Sequence, residues 1–159
     1  MKAVIQRVRD ASVTVDGAVT GAVSRGLLVY VGVAKDDTEK DAQWLAEKTA
    51  HLRIFEDAGG KMNRSLPDIV QQTGDGDAGV LAVSQFTLLA DAAKGRRPFY
   101  GAAAAPEKAN TLYECFMQNV REHGLLCRAG VFQAHMDVRY TNDGPVTIVL
   151  DSKAPPVKE

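Results

Sequence analysis

Two short polar motifs set into apolar runs carry the chemistry this chain offers: Ser84-Gln85-Phe86-Thr87 and Asn142-Asp143-Gly144-Pro145-Val146-Thr147. Neither holds a His, a Cys or a cluster of metal ligands. Strands interrupted by Ser-Gln or Gly-Pro give up side-chain packing and leave backbone N–H and C=O groups for other uses. The expected site is therefore built largely from main chain. A polar pair that breaks a ladder near a strand end suits an oxyanion hole, whose pre-placed donors stabilise charge developing on an ester carbonyl, each worth about 3 kcal/mol. Thr87 serves as a nucleophile only beside a base, and none is visible nearby. The local residues are equally compatible with a plain strand that tolerates two polar side chains. Gly144-Pro145 likewise reads either as a turn between two strands or, with a cis bond, as a cradle of parallel carbonyls suited to a primary ammonium group.

Other routes to catalysis find no support. His51, His123 and His135 lack the Ser and carboxylate context of a triad, and Ser84 lies between Val83 and Gln85 rather than in a nucleophile elbow. His-x-x-x-His and Cys-x-x-Cys spacings are absent, so neither a metal nor a cofactor is expected. Cys115 and Cys127 read as small buried hydrophobes. Gly74-Asp75-Gly76-Asp77-Ala78-Gly79 matches a dinucleotide fingerprint only formally. It precedes a strand, opens no helix and puts carboxylates where phosphate belongs, so it is expected to be a surface loop. Lys94-Gly95-Arg96-Arg97-Pro98 places three positive charges on a Gly/Pro-bounded loop, either simply solvated or in contact with phosphate.

The elements that must position these motifs follow from periodicity. With 159 residues, 45% hydrophobic, and a net charge of −1, the chain suits one globular domain that does not coat nucleic acid by bulk charge. The opening residues turn polar too early for a signal peptide and no run suffices for a membrane span, so a cytoplasmic protein is expected. Residues 4–8 and 12–15 are strand-like, and Asp16-Gly17 signals a tight hairpin. The run 27–33 is apolar throughout, as in a strand covered on both faces. The first third thus reads as a β-meander. Ala42, Leu45, Ala46, Thr49 and Leu52 repeat at helical spacing after Asp36 or Thr38 as N-cap, with Trp44 as flank packing. Residues 59–79 read as the least organised part. A strand over 80–89, an Ala-rich linker, a helix opened by Pro106 and stopped by Gly124, and strands over 125–132, 136–140 and 146–150 complete the pattern. The fold class is α/β: a compact single domain over 1–152, a mixed or antiparallel β-barrel-like sheet with two main helices, and a frayed tail over 153–159.

At this point the residues resemble the D-aminoacyl-tRNA deacylases, which hydrolyse the ester between tRNA and a D-amino acid. The likeness spans nearly the whole chain, through Ala3-Val4-Ile5-Gln6-Arg7-Val8, Ala11-Ser12-Val13-Thr14-Val15, Lys35-Asp36-Asp37-Thr38, Leu52-Arg53-Ile54-Phe55-Glu56-Asp57, Lys61-Met62-Asn63 and the three motifs already described. It implies a homodimer with sites at the subunit interface. Catalysis would rest on Ser84, Gln85, Phe86 and Thr87, with N–H donors around Gln85 and Phe86 facing the oxyanion. Gly144 and Pro145, in the cis form, would enter from the other chain to hold the α-amino group and exclude L side chains. Glycyl-tRNA would then also be accepted. Arg7 would steady the Gly-Pro loop, Phe132 and Met136 would line the pocket near the terminal adenosine, and Lys94, Arg96 and Arg97 are candidate tRNA contacts. The hydroxyl beside the ester on the terminal ribose would assist hydrolysis, which leaves Thr87 a supporting role. The chain departs from the family's pattern at Gln133 and His135, in a slightly long 74–79 loop, and at Pro98-Phe99-Tyr100, which lacks the usual serine; His135 is expected to be structural. Two other readings stay open: a metal-free esterase for small D-amino-acid esters, and a tRNA-binding module without activity.

Overall fold

The computed structural model describes residues 1–154. Its organising strand is β1 (Lys2–Val15), whose alternate residues Ala3 and Ile5 are fully buried. Asp16 and Gly17 both take positive φ, 49° and 81°, and return the chain antiparallel as β2 (Ala18–Val23). This is the twist-matched two-residue turn that Asp-Gly favours. The next strand, β3 (Gly26–Gly32), does not extend a meander. It pairs antiparallel with residues 2–8 of β1, while β2 pairs with residues 11–15. A strand of 14 residues is long enough to hold both partners, one on each half.

Helix α1 (Glu39–His51) starts at Thr38, whose N–H and hydroxyl both donate to Asp41 Oδ2, at 2.8 and 2.9 Å. Two parallel strands follow: β6 (Gly79–Ser84) beside β3, and β7 (Leu126–Ala129) beside β6. Parallel pairing demands long crossovers. The second of these contains α3 (Pro106–Glu122), which opens on proline and closes before Gly124 at φ 77°. The long strand β8 (Asp137–Asp151) covers the other edge of β1. Gly21 of β2 lies against the Ala129 carbonyl of β7, so the six-stranded sheet nearly closes on itself. Leu27, Val29, Val31, Val80 and Ala82 face α1 and α3, and Leu28, Leu81 and Val83 face a second apolar cluster with Val8 and Val13. That two-sided burial explains why residues 27–33 carry no polar alternation.

Several expectations need correction. Residues 59–79 are organised: β4 (Phe55–Glu56) pairs with β5 (Met62–Arg64), and a third helix, α2 (Leu66–Thr73), begins where Ser65 N–H and hydroxyl donate to Asp68. Its polar surface hid a helix that buries only Leu66 and Ile69. The strand expected over 80–89 ends at Ser84, and Phe86–Leu89 forms a 3-10 turn. The strands expected over 136–140 and 146–150 are one, β8, with Gly144-Pro145 inside it. Of the tail expected over 153–159, Lys153 is held rather than frayed: its Nζ lies 3.3 Å from Asp41 Oδ2, next to Ser152, whose Oγ donates to Asp41 Oδ1 at 2.8 Å. Residues 155–159 of that call lie outside the described residues.

Burial opposes the charge on Asp41, yet hydrogen bonds from Ser152, Thr38 and Lys153 outweigh it and hold the carboxyl well below the usual carboxylate range. A depressed folded pKa contributes stability that is present above the unfolded value near 3.8 and is lost as pH falls toward the folded one. Asp41→Asn is therefore expected to lower the urea midpoint at neutral pH and to narrow its gap from wild type as pH falls below about 4. A gap independent of pH in a urea titration series would show that the charge contributes nothing.

Candidate active site

The parallel pairing of β3 and β6 brings Val31 beside Ser84, so the end of β6 opens next to the end of β3. Gln85 N–H donates to the Val31 carbonyl at 2.8 Å and closes the ladder. The chain then tightens into the 3-10 turn, where Leu88 N–H returns to the Gln85 carbonyl at 3.3 Å and Leu89 anchors in the interior. Gly32 permits this close packing: a Cβ there would stand 2.6 Å from Leu89 Cδ2 and 3.1 Å from the Gln85 carbonyl oxygen. As the leading donors of the turn, the N–H groups of Phe86 and Thr87 meet no acceptor among the described residues. The donors expected around Gln85 and Phe86 are thus displaced by one residue, because Gln85 N–H is committed to the sheet.

Ser84, Gln85 and Phe86 form one rim of a cleft of about 570 Å³. Val31, Val33 and Val83 make its floor, Ala103, Ala104 and Ala109 one wall, and Phe132, Met136 and Val138 the other. The small side chains of the Ala-rich linker create this space, a contribution that sequence reasoning missed by treating the stretch only as a connection. Gln133, with φ 63°, and His135 also border the cleft, and His135 is exposed at its mouth rather than packed. The Gln85 side-chain amide donates to Thr87 Oγ1, so the Thr87 hydroxyl is held by a donor and not by a base. Burial pushes the Cys127 thiol up to about 11, far from a thiolate nucleophile at neutral pH. No cluster of three or more His, Cys, Asp or Glu able to hold a metal occurs among the described residues.

Gly144 and Pro145 do not border this cleft. Along β8 the register with β1 shifts between Gln6 and Val8, and residues 143–146 bulge out at that point. Asn142 pins the bulge through Nδ2, donating to the Arg7 and Val146 carbonyls at 3.0 Å each. Arg7, only 5% exposed, donates from Nε to the Asp143 carbonyl and carboxylate at 3.2 Å and from Nη1 to the Ile54 carbonyl at 2.6 Å. Arg9 Nε holds the other carboxylate oxygen of Asp143 at 3.0 Å. The Gly144-Pro145 bond is cis and both residues are exposed. Gly144 has φ 131°, and a Cβ there would come within 2.8 Å of Val146 Cγ2, so only glycine fits without strain. Arg7, Arg9, Arg25, Glu56 and Asp143 line a separate polar cleft behind the bulge. Within one chain the two motifs therefore do not share a cleft.

The third motif leaves the 3-10 turn. Asp91 and Phe99 exchange both backbone hydrogen bonds at 2.8 Å and close a loop on which Lys94, Arg96 and Arg97 are exposed.

A family model described as D-Tyr-tRNA(Tyr) deacylase matches residues 4–151. Proteins named D-aminoacyl-tRNA deacylase are similar along nearly their whole length. That of Anaeromyxobacter dehalogenans is 58% identical over 153 residues, covering 96% of this chain and 98% of the relative. That of Thermus aquaticus is 54% identical over 156 residues, covering 98% of each. Among solved structures, one titled c-Myc DNA Unwinding Element Binding Protein superposes with a TM-score of 0.84 at 40% identity, covering 97% of this chain and all of the other. A probable eukaryotic D-amino acid tRNA deacylase shares the fold, with a TM-score of 0.77 at 18% identity over 94% of this chain and 97% of the other.

Proposed function

Since the chain belongs to the D-Tyr-tRNA(Tyr) deacylase family, we propose that it is an editing hydrolase that cleaves the ester joining a D-amino acid to the 3′-terminal adenosine of tRNA. The observation that carries this reading is the strand end at Ser84–Thr87: the unpaired N–H of Phe86 lies at an apolar cleft, that of Thr87 follows one residue beyond its lining, and no hydrogen-bonded Ser-His or Cys-His pair occurs there among the described residues. Such a site stabilises an oxyanion but supplies no base. The substrate's own ribose supplies a proton relay: the hydroxyl vicinal to the ester orients the attacking water and takes a proton from it while passing its own to the departing ribose oxygen, so the new carbonyl C–O bond forms from water as the ester C–O bond to ribose breaks and the free amino acid leaves. Phe132 and Met136 bracket the terminal adenosine, and Lys94, Arg96 and Arg97 contact backbone phosphates.

The chiral filter is incomplete within one chain, so the functional unit is a homodimer in which Gly144-Pro145 of one copy caps the Ser84–Thr87 cleft of the other. Its carbonyls accept hydrogen bonds from the α-ammonium group and leave no room on the side where an L side chain would project. Glycine projects nothing there, and glycyl-tRNA is a substrate on the same terms. The reaction takes place in the cytoplasm, among newly charged tRNAs, with no cofactor. No helix among the described residues is long and apolar enough to cross a membrane.

D-tyrosyl-tRNA, L-tyrosyl-tRNA and a small D-tyrosine ester, incubated separately with the purified protein, test this reading. Hydrolysis of the D-aminoacyl-tRNA alone is expected. Cleavage of the small ester at a comparable rate would replace it with a simple esterase, and cleavage of none with a binding module.

A further inference from the structure

Large exposed aromatic rings are uncommon on a water-soluble surface unless something covers them, and this chain displays three together. Phe86 is 55% exposed, Phe99 69% and Tyr100 36%. Phe86 and Tyr100 meet edge to face with centroids 5.0 Å apart. The Phe99 backbone is held by its paired hydrogen bonds to Asp91, and its ring lies across Gly101, where any Cβ would collide with it. These rings are fixed in place while facing solvent, so a planar ligand would lose little freedom of theirs on binding. The loop they close carries Lys94, Arg96 and Arg97, none of which forms an ion pair among the described residues. From residue 99 the chain runs directly to Ala103 and Ala104 in the cleft wall.

We infer that Phe99 and Tyr100 form a stacking platform for unpaired bases of a single-stranded RNA end, with the 94–97 loop holding its phosphates. Single-stranded nucleic acid combines a series of π-faces with a regularly spaced negative charge, and aromatic rings flanked by cations are its usual receptor. The second copy proposed above caps the Ser84–Thr87 cleft, whose lining includes Phe86 but neither Phe99 nor Tyr100, so these two rings and the cations beside them are left for another occupant. The inference rests on the deacylase reading for the identity of the RNA, but not for the contact itself.

The test uses a short, uncharged-with-amino-acid oligoribonucleotide carrying 2-aminopurine near its 3′ end, so that binding is read without catalysis. Wild type is expected to quench the fluorophore. Phe99→Leu should weaken binding about tenfold with an unchanged slope of log Kd against log salt, Phe99→Tyr should restore it, and the triple change of Lys94, Arg96 and Arg97 to Gln should reduce that slope. A Phe99→Leu affinity within about twofold of wild type, absence of quenching, or a concentration-dependent self-association abolished by Phe99→Leu would each overturn the platform. Failure of the deacylase reading is seen separately, as intact D-tyrosyl-tRNA in the presence of a protein that still quenches.

Discussion

A D-aminoacyl-tRNA ending in 2′-deoxyadenosine is expected to be hydrolysed at least about a hundredfold more slowly than the ribose form, whereas Thr87→Ala should retain most of the activity. The reason is the distribution of chemistry at the cleft. Thr87 is the only hydroxyl in the 3-10 turn, and the partner of its Oγ1 is the Gln85 amide, which donates a hydrogen bond and has no basicity. A hydroxyl so held is a weak nucleophile at neutral pH. The histidine nearest the chemistry, His135, stands at the cleft mouth and has no carboxylate to orient it among the described contacts. Positioned proton transfer contributes about a hundredfold or more, and in the function proposed above the ribose hydroxyl supplies that contribution. Single-turnover rates on the two RNAs with wild type and Thr87→Ala decide the matter. Full activity on the deoxy substrate, together with an inactive Thr87→Ala, would transfer the nucleophile to the protein.

Arg7→Ala should be the most disruptive single substitution near the Gly-Pro bulge. The guanidinium is nearly buried and joins three parts of the fold: β1 that carries it, the Ile54 carbonyl before β4, and both the carbonyl and carboxylate of Asp143. Its removal leaves the Asp143 carboxylate, only 17% exposed, with Arg9 at 3.0 Å as its one remaining partner and leaves the Ile54 and Asp143 carbonyls without their donor, a loss that typically costs about 1–3 kcal/mol. For a chain of this size that corresponds to a melting temperature lower by roughly 2–12 °C. The contact to Glu56, at 4.0 Å and with that side chain 61% exposed, adds little. Because the same guanidinium positions the segment leading into Gly144, discrimination between D- and L-aminoacyl-tRNA should fall about tenfold even where the protein remains folded. Arg7→Lys, which keeps the charge but cannot reach the Ile54 and Asp143 carbonyls together, should recover only part of both effects. Calorimetry with parallel D/L rate ratios measures them. An unchanged melting temperature and ratio in Arg7→Ala would mean that Asn142 and Arg9 alone hold the bulge.

Readings that depend on neighbours in the chain were legible in the residues. Asp16-Gly17 specifies its turn through positive φ at both positions. Thr38, Pro106 and Gly124 mark helix ends through donors and acceptors within a few residues. The unbroken apolar run 27–33 required cover on both faces wherever it was placed. Gly144-Pro145 announced a break in regular backbone pairing for the same local reason.

What the tertiary structure decided depends on partners far along the chain. Whether Gln85 N–H is free or bonded turns on Val31, more than fifty residues away, so the open donors moved to Phe86 and Thr87. Whether Asn142–Pro145 is a turn or a bulge turns on how β1 pairs, because one continuous partner strand holds β8 straight on both sides of the irregularity. The cleft itself exists only once β3 and β6 lie parallel and Ala103, Ala104 and Ala109 come together with Phe132 and Met136 around it. Local residues set the conformations each segment prefers. Long-range packing set which of the remaining polar groups are consumed by the fold and which are left for a substrate.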